Sequence, residues 1–323
     1  HAAAAAGGGD QQMHKQLPPN GRIRIRSIQS GRGPVPGETR TMRALFLIPG
    51  DGVDQLEALP AVAATAEALG FAIQVACPPE QAPIWKLLPV VEKVIPFTYG
   101  DASLADWTNL LGCVRDPDFQ VAVNLAPSRQ MDLMLSMSHI PTRIASAGFS
   151  ATETVAAAAT TAGWPAQALA GHLRPIGVEL QADAFRLPLP AAALAEATAA
   201  LPAGDGPMLL LAPGGGLSDW PGACWQELPE RIRASLPGLR SSVAAAAGAG
   251  QAARRAAVVA ASDVVLSSDP LTTELALLCG TPVVALGRSP VSLPERAGVR
   301  GIGATDNLPT LGVDAVLQAL GLV

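Results

Sequence analysis

Asp51 and Asp54 stand three residues apart in the stretch RALFLIPGDGVDQLEALPAV, residues 43–62. An apolar strand runs into a glycine turn and leaves it as an apolar helix. A carboxylate at such a turn can take a proton from a hydroxyl group held before it, which is general-base chemistry. The helix N-terminus beside it favours the ionised form. Asp54 at a helix start is also an ordinary N-cap, since Asp accepts the free N–H groups of a first turn. Asp51, between Gly50 and Gly52, has the setting of a turn former. A second glycine group, Gly214-Gly215-Gly216, precedes another helix, where backbone N–H groups can approach phosphate oxygens. A flexible loop has the same composition. Asp269, Thr272 and Thr273 lie in SSDPLTTE. Asp269 before Pro270 reads as an N-cap with Pro at the first helical position. The two threonines offer hydroxyl and N–H groups to phosphate. Asn124 and Arg129, at and after the strand VAVNLAP, offer an amide and a cation to an acceptor.

Other constellations lead away from cofactors. The spacing G-x-G-x-x-G fails in the opening turn, because Gln55 holds its final position and Cys77, not an acid, ends the next strand. Asp116 and Asp118 mimic a metal-binding Asp-x-Asp, but they sit between a helix and the start of a strand and read as a turn. Two of the four histidines, His1 and His14, lie in the N-terminal tail, so no His/Cys metal cluster assembles.

These groups must be positioned by a chain of 323 residues with room for two domains. Hydrophobic residues at 49% and charged ones at 15% provide a core and exclude global disorder. Aromatics at 4% and a net charge of -5 argue against nucleic-acid binding. Residues 1–41 hold six Lys/Arg against two Asp/Glu, so the remainder is the acidic part. Cys77, Cys113, Cys224 and Cys279 lie far apart in apolar segments and read as reduced core residues of a cytoplasmic protein.

Residues 1–41 are of low complexity, without a secretory apolar region, and read as a disordered or non-native extension dispensable for folding. The RIRIR run can touch an anionic surface. From Arg43, strand and helix alternate. ALFLIP, FAIQVAC, VEKVIPF, FQVAVNLA and TRIASAG read as strands of a parallel sheet, with helices between them. Residues 150–205 show no clear strand. PMLLLAP, DVVLSS and TPVVALG read as strands of a second parallel sheet, closed by a helix over Val313–Leu320. The α/β succession predicts two Rossmann-like doubly wound domains facing a cleft: 42–165 for the acceptor, a helical linker over 166–205, and 206–323 for a nucleotide-sugar.

GVDQLEALPAV resembles the opening motif of glycosyltransferase family 9, the ADP-heptose–lipopolysaccharide heptosyltransferases. PTRIASAG, APGGGLSDWPGACWQELPE and DVVLSSDPLTTELALLCGTPVVALG resemble further segments of that family, so the likeness covers roughly residues 43–308. It implies a GT-B-type fold and metal-independent, inverting transfer of a sugar, possibly a heptose, to a cell-surface glycolipid or polysaccharide. No cofactor beyond the nucleotide-sugar substrate is implied. Aligned on LPAV, Asp54 falls on the family's catalytic aspartate, and Asp51 has no counterpart. The segments that carry the resemblance set Gly214, Gly215, Gly216, Ser218, Asp269, Thr272 and Thr273 at the donor. Arg129 and Asn124 are assigned to the acceptor from their place on the cleft side of a strand, where a solvated Arg at a helix start is the alternative. The pattern departs in places. Ser218 stands where the family has a phosphate-neutralising Lys, Glu57 falls where His is common, and Glu274 stands in a segment that carries His. The segment between LRSSVAAAAG and RRAAVVAASDVV is short, which predicts a reduced second sheet. The protein is expected to be a cytoplasmic monomer, with peripheral contact at the inner face of the membrane. The alternative is a catalytically degenerate relative that binds a nucleotide-sugar or a protein partner without turnover. A nucleotide-sugar epimerase of the same architecture is a further rival, for which histidine is in short supply.

Overall fold

The computed structural model describes residues 41–116, 118–156 and 163–322. The expectation for the N-terminal extension therefore lies outside the described residues. Thr39–Val323 is one compact unit built on two parallel sheets.

The first sheet contains β1 (Arg43–Leu47), β2 (Ala72–Cys77), β3 (Val91–Pro96), β4 (Phe119–Asn124), β5 (Thr142–Ala145) and β6 (Glu153–Thr154), in the order β3-β2-β1-β4-β5-β6. Its helices are α1 (Gly52–Leu69), α2 (Leu104–Val114) and α3 (Arg129–Ser138). The connection holds two single-turn helices, α4 (Pro165–Ala168) and α5 (Ala170–Leu173), and then α6 (Ala191–Ala200). The second sheet contains β7 (Met208–Ala212), β8 (Arg240–Val243), β9 (Val264–Ser267), β10 (Val283–Leu286) and β11 (Val299–Ile302), in the order β11-β10-β9-β7-β8. Around it lie α7 (Gly222–Ser235), α8 (Ala252–Ala260), α9 (Pro270–Cys279) and α10 (Val313–Leu320). Strand order reverses between β1 and β4 and between β7 and β9, and crevices open at such switch points beyond the strand carboxyl ends.

Two expectations are corrected. The second sheet is not reduced to its apolar strands: Arg240–Val243 pairs in parallel with Met208–Leu211, and β11 pairs with β10. The stretch after residue 150 does contain a strand, the two-residue β6 beside β5. All three are short edge strands without a continuous apolar run, and they pair through a neighbour's free N–H and C=O groups.

The central strands bury both faces, as parallel strands between helix layers must. Leu45 and Leu47 join one core with Met131, Met134 and Leu135 of α3. Ala44 and Phe46 point the other way, into a core that also holds Leu210, Val265, Leu275 and Val283 of the second half. A single apolar core thus joins the two sheets. α1 lies along α9 at this seam. A Cβ on Gly52 would lie 2.9 Å from Leu271 Cδ1, so the glycine lets the two helices approach without shifting that leucine. A third core, around Trp220, Trp225, Leu228 and Ile232, backs the far face of the second sheet.

Candidate active site

The turn after β1 is built for one carboxylate to lie across it. Gly50 has φ 90°, and a Cβ there would sit 1.9 Å from Asp54 Oδ2. Only glycine gives both the left-handed backbone and the space. The structure makes Asp51 the N-cap of α1: its Oδ1 accepts from Val53 N–H at 2.8 Å and from Asp54 N–H at 3.4 Å. Asp54 is not the cap. It occupies the third helical position and accepts from Asp51 N–H through Oδ2 at 2.9 Å, completing a reciprocal capping box. The Asp54 side chain is exposed, and Oδ1 accepts no hydrogen bond from a described residue. The surrounding protein mass raises its pKa despite that solvent access, opposed by the Asp51 N–H and reinforced by the Asp51 charge. A carboxylate held by one oxygen, free at the other and strengthened as a base, is arranged to accept a proton.

Asn124 ends β4 beside Leu47 of β1, at the switch point. Its Oδ1 accepts from Ala126 N–H at 2.9 Å, and its Nδ2 is buried without a hydrogen-bond partner. It is 1% exposed, so it shapes the turn after β4 and does not present an amide to solvent. Arg129, the first residue of α3, is exposed on the same carboxyl edge.

In the second half, Gly214 is packed against the start of the α9 turn. Its N–H donates to Ser268 Oγ at 2.9 Å, and a Cβ would lie 2.8 Å from the Ser268 carbonyl oxygen. The GGG turn and the SDPLTTE turn are therefore neighbours. Gly215 and Gly216 have φ 81° and 95° and are exposed, and Ser218 is exposed beyond them. Gly215 N–H is engaged by Asp219 Oδ2 at 2.8 Å, while Asp219 Oδ1 accepts from Trp220 N–H at 2.7 Å. Beside the loop lies an open cavity of about 700 Å³, lined by Gly215, Gly216, Asp219, Trp225, Arg233 and Ser241 among others. Its walls come from α7 and β8; Thr272 is not among them.

Asp269, Thr272 and Thr273 are all buried. Asp269 caps α9, accepting from Thr272 N–H at 3.1 Å and from the Thr272 hydroxyl. Thr273 Oγ1 donates to Asp269 O at 3.0 Å, and Thr272 Oγ1 accepts from Arg255 at 2.9 Å. Of the two readings of this segment, the cap is the one the geometry displays. The aspartates at 116 and 118 lie at the other end of the sheet, within 3.8 and 3.3 Å of Arg43, and no group of metal-binding side chains occurs among the described residues.

One cluster has no motif in the sequence. Arg288, just after β10, contacts Glu274 of α9 and lies 3.5 Å from Glu57 of α1. Glu274 is wholly buried and also accepts from Trp164 Nε1 at 3.1 Å. Burial, then the Glu274 charge, push the Glu57 carboxyl up to about 8, against the pull of Arg288. The only sequence signal was the pair of acids standing where the family pattern carries His.

No protein-family model matches the chain, and none of the curated proteins matches it by sequence. Solved structures do. It is similar to a glycosyl transferase family 9 protein from Veillonella parvula, with TM-score 0.68, 13% identity, and 87% of this chain matched to 96% of that one. It is similar to E. coli ADP-heptose LPS heptosyltransferase II, with TM-score 0.66, 17% identity and coverage of 87% and 98%. A third is an E. coli heptosyltransferase solved with ADP-2-deoxy-2-fluoro heptose, with TM-score 0.63, 16% identity and coverage of 87% and 99%. At such identities the likeness establishes the fold: two parallel α/β halves of GT-B type, matched over nearly the full length of each relative.

Proposed function

We propose that this chain is an inverting glycosyltransferase that moves a sugar from a nucleotide-sugar to a cell-surface glycolipid or polysaccharide. Asp54 takes the proton of the acceptor hydroxyl. The freed oxygen bonds to the anomeric carbon as that carbon's bond to the diphosphate breaks, and the electron pair leaves with the nucleoside diphosphate. The observation that carries this reading is the Asp54 carboxylate, oriented by Asp51 N–H with its second oxygen open. The solved relative holding an ADP-heptose analogue makes ADP-heptose the first donor to try. In this reading Gly214, Gly215, Gly216 and Ser218 flank the diphosphate, while the buried Asp269, Thr272 and Thr273 brace the turn beneath it. Arg129 meets the acceptor, and Asn124 shapes the turn that presents it. Catalysis uses no metal, and the protein works as a cytoplasmic monomer that touches the inner face of the membrane.

The experiment is turnover and donor binding for Asp54→Asn and Asp51→Asn against a panel of nucleotide-sugars. A general base contributes about 100- to 10,000-fold, so Asp54→Asn loses most turnover and keeps donor affinity. Asp51→Asn stays within a few-fold, because Asn caps about as well as Asp. Equal turnover of Asp54→Asn and wild type removes the catalytic assignment. Absence of turnover by the wild type with every donor shifts the reading to binding without transfer.

A further inference from the structure

A diphosphate needs a cation, and the glycine loop supplies none. Ser218 is neutral, and the Gly215 N–H already faces the Asp219 carboxylate. Arg255 is committed to Thr272 Oγ1 and to Ala245 O. Arg288 differs from both. It stands at the carboxyl end of β10, its side chain is 20% exposed, and its two carboxylate partners are unequal. Glu274 is close, wholly buried and fixed through its other oxygen by Trp164. Glu57 is distant at 3.5 Å, partly open to solvent, and belongs to the other half of the molecule.

We propose that Arg288 is the cationic contact for the donor's diphosphate, anchored by Glu274 and resting against Glu57 until the anion takes that carboxylate's place. The inference rests on the glycosyl-transfer reading. A guanidinium presents paired N–H groups that match phosphate oxygens, and its stem stays aimed only if one partner remains when the other leaves. Glu274 is that permanent partner. Glu57 is the exchangeable one, and its contact is the only ion pair among the described residues that joins α1 to the second sheet. The groups that face Glu57 are Arg288 and Glu274 from the second half and Asp54 from its own helix. Burial and the Glu274 charge raise the Glu57 carboxyl's pKa, so its hold on the guanidinium weakens as pH falls and strengthens as pH rises.

The test is calorimetric titration of the full chain with inorganic pyrophosphate, which carries the diphosphate without base or sugar. Wild type is expected to bind it. Loss of a charged hydrogen-bonding partner weakens binding by about 10- to 100-fold in Arg288→Gln. Arg288→Gln leaves the Glu274 charge buried without its cation, so the double variant Arg288→Gln/Glu274→Gln keeps the test valid if the single variant unfolds. It is expected to bind as weakly. Glu57→Gln is expected to bind several-fold more tightly than wild type at pH 9 and equally at pH 6.5. Wild-type affinity in the double variant, absence of pyrophosphate binding by wild type, or weaker binding by Glu57→Gln at pH 9 overturns the assignment. Failure here with normal sugar transfer leaves the glycosyltransferase reading standing. Success here with no effect of Asp54→Asn on turnover sinks only the catalytic role of Asp54.

Discussion

Two helices on opposite sides of the seam, α1 and α9, each begin with an aspartate after a buried parallel strand. At α1, Asp51 does the capping and Asp54 returns a single bond to the Asp51 N–H. At α9, Asp269 caps alone and is closed in by Thr272, with Arg255 behind. One start leaves a carboxylate oxygen facing solvent; the other buries every oxygen it has to offer. Asp269 is the N-cap itself and Asp54 stands three residues further on, and burial and the number of donors around each add to that difference in what the two acids can do. An acid surrounded by donors is stabilising, and an acid with a free lone pair and a raised pKa is chemically available.

Substitutions at the two starts should separate stability from turnover, and the largest effect is on turnover. Asp54→Asn should lower the transfer rate by about 100- to 10,000-fold, with an unchanged melting temperature, because the amide oxygen still accepts the Asp51 N–H. Equal losses in rate and melting temperature would break the contrast. Gly50→Ala comes next. Its φ of 90° and the missing space over Asp54 Oδ2 should cost about 1–2 kcal/mol of stability for the left-handed backbone, and move the carboxylate as well. Chemical denaturation together with a rate assay reads both effects, and a stable, fully active Gly50→Ala would refute the account of the turn. Asp269→Ala should lose about 0.5–2 kcal/mol as a missing cap, with turnover per folded molecule kept. A rate loss exceeding the folding loss would return Asp269 to the donor site.

The contrast at the seam is read from the pH dependence of stability. Glu57 has its folded value raised to about 8 by burial and by Glu274, above the 4.5 of an exposed carboxyl. A raised acid contributes stability that is complete below the unfolded value and is lost as pH rises through the folded one. Wild type should therefore lose stability progressively between about pH 5 and pH 9, and Glu57→Gln should flatten that slope while scarcely changing the melting temperature at pH 5. Parallel stability profiles for the two proteins would show that the carboxyl is not buried against Glu274.

Much of the architecture was legible because buried parallel strands must be apolar throughout. ALFLIP and MLLLA carry that signature without reference to anything else in the chain. The glycine turns were legible as positions, and the acid at Asp54 as a candidate base, through spacing and through the family pattern. What the acid does locally was not: Asp51 and Asp54 are both good capping residues, and only the folded turn assigns the cap to one and the return bond to the other. The edge strands β8 and β11 were invisible, since RSSV and VRGI are short and lack a continuous apolar run, and become strands by completing a neighbour's ladder. The Glu57–Arg288 contact, between residues 231 apart in the chain, was equally invisible. Local apolar runs and turn residues determine the elements, because strand burial and left-handed backbone depend on near neighbours. Which polar groups share a seam depends on how two independently patterned halves pack, and that was decided only by the tertiary structure.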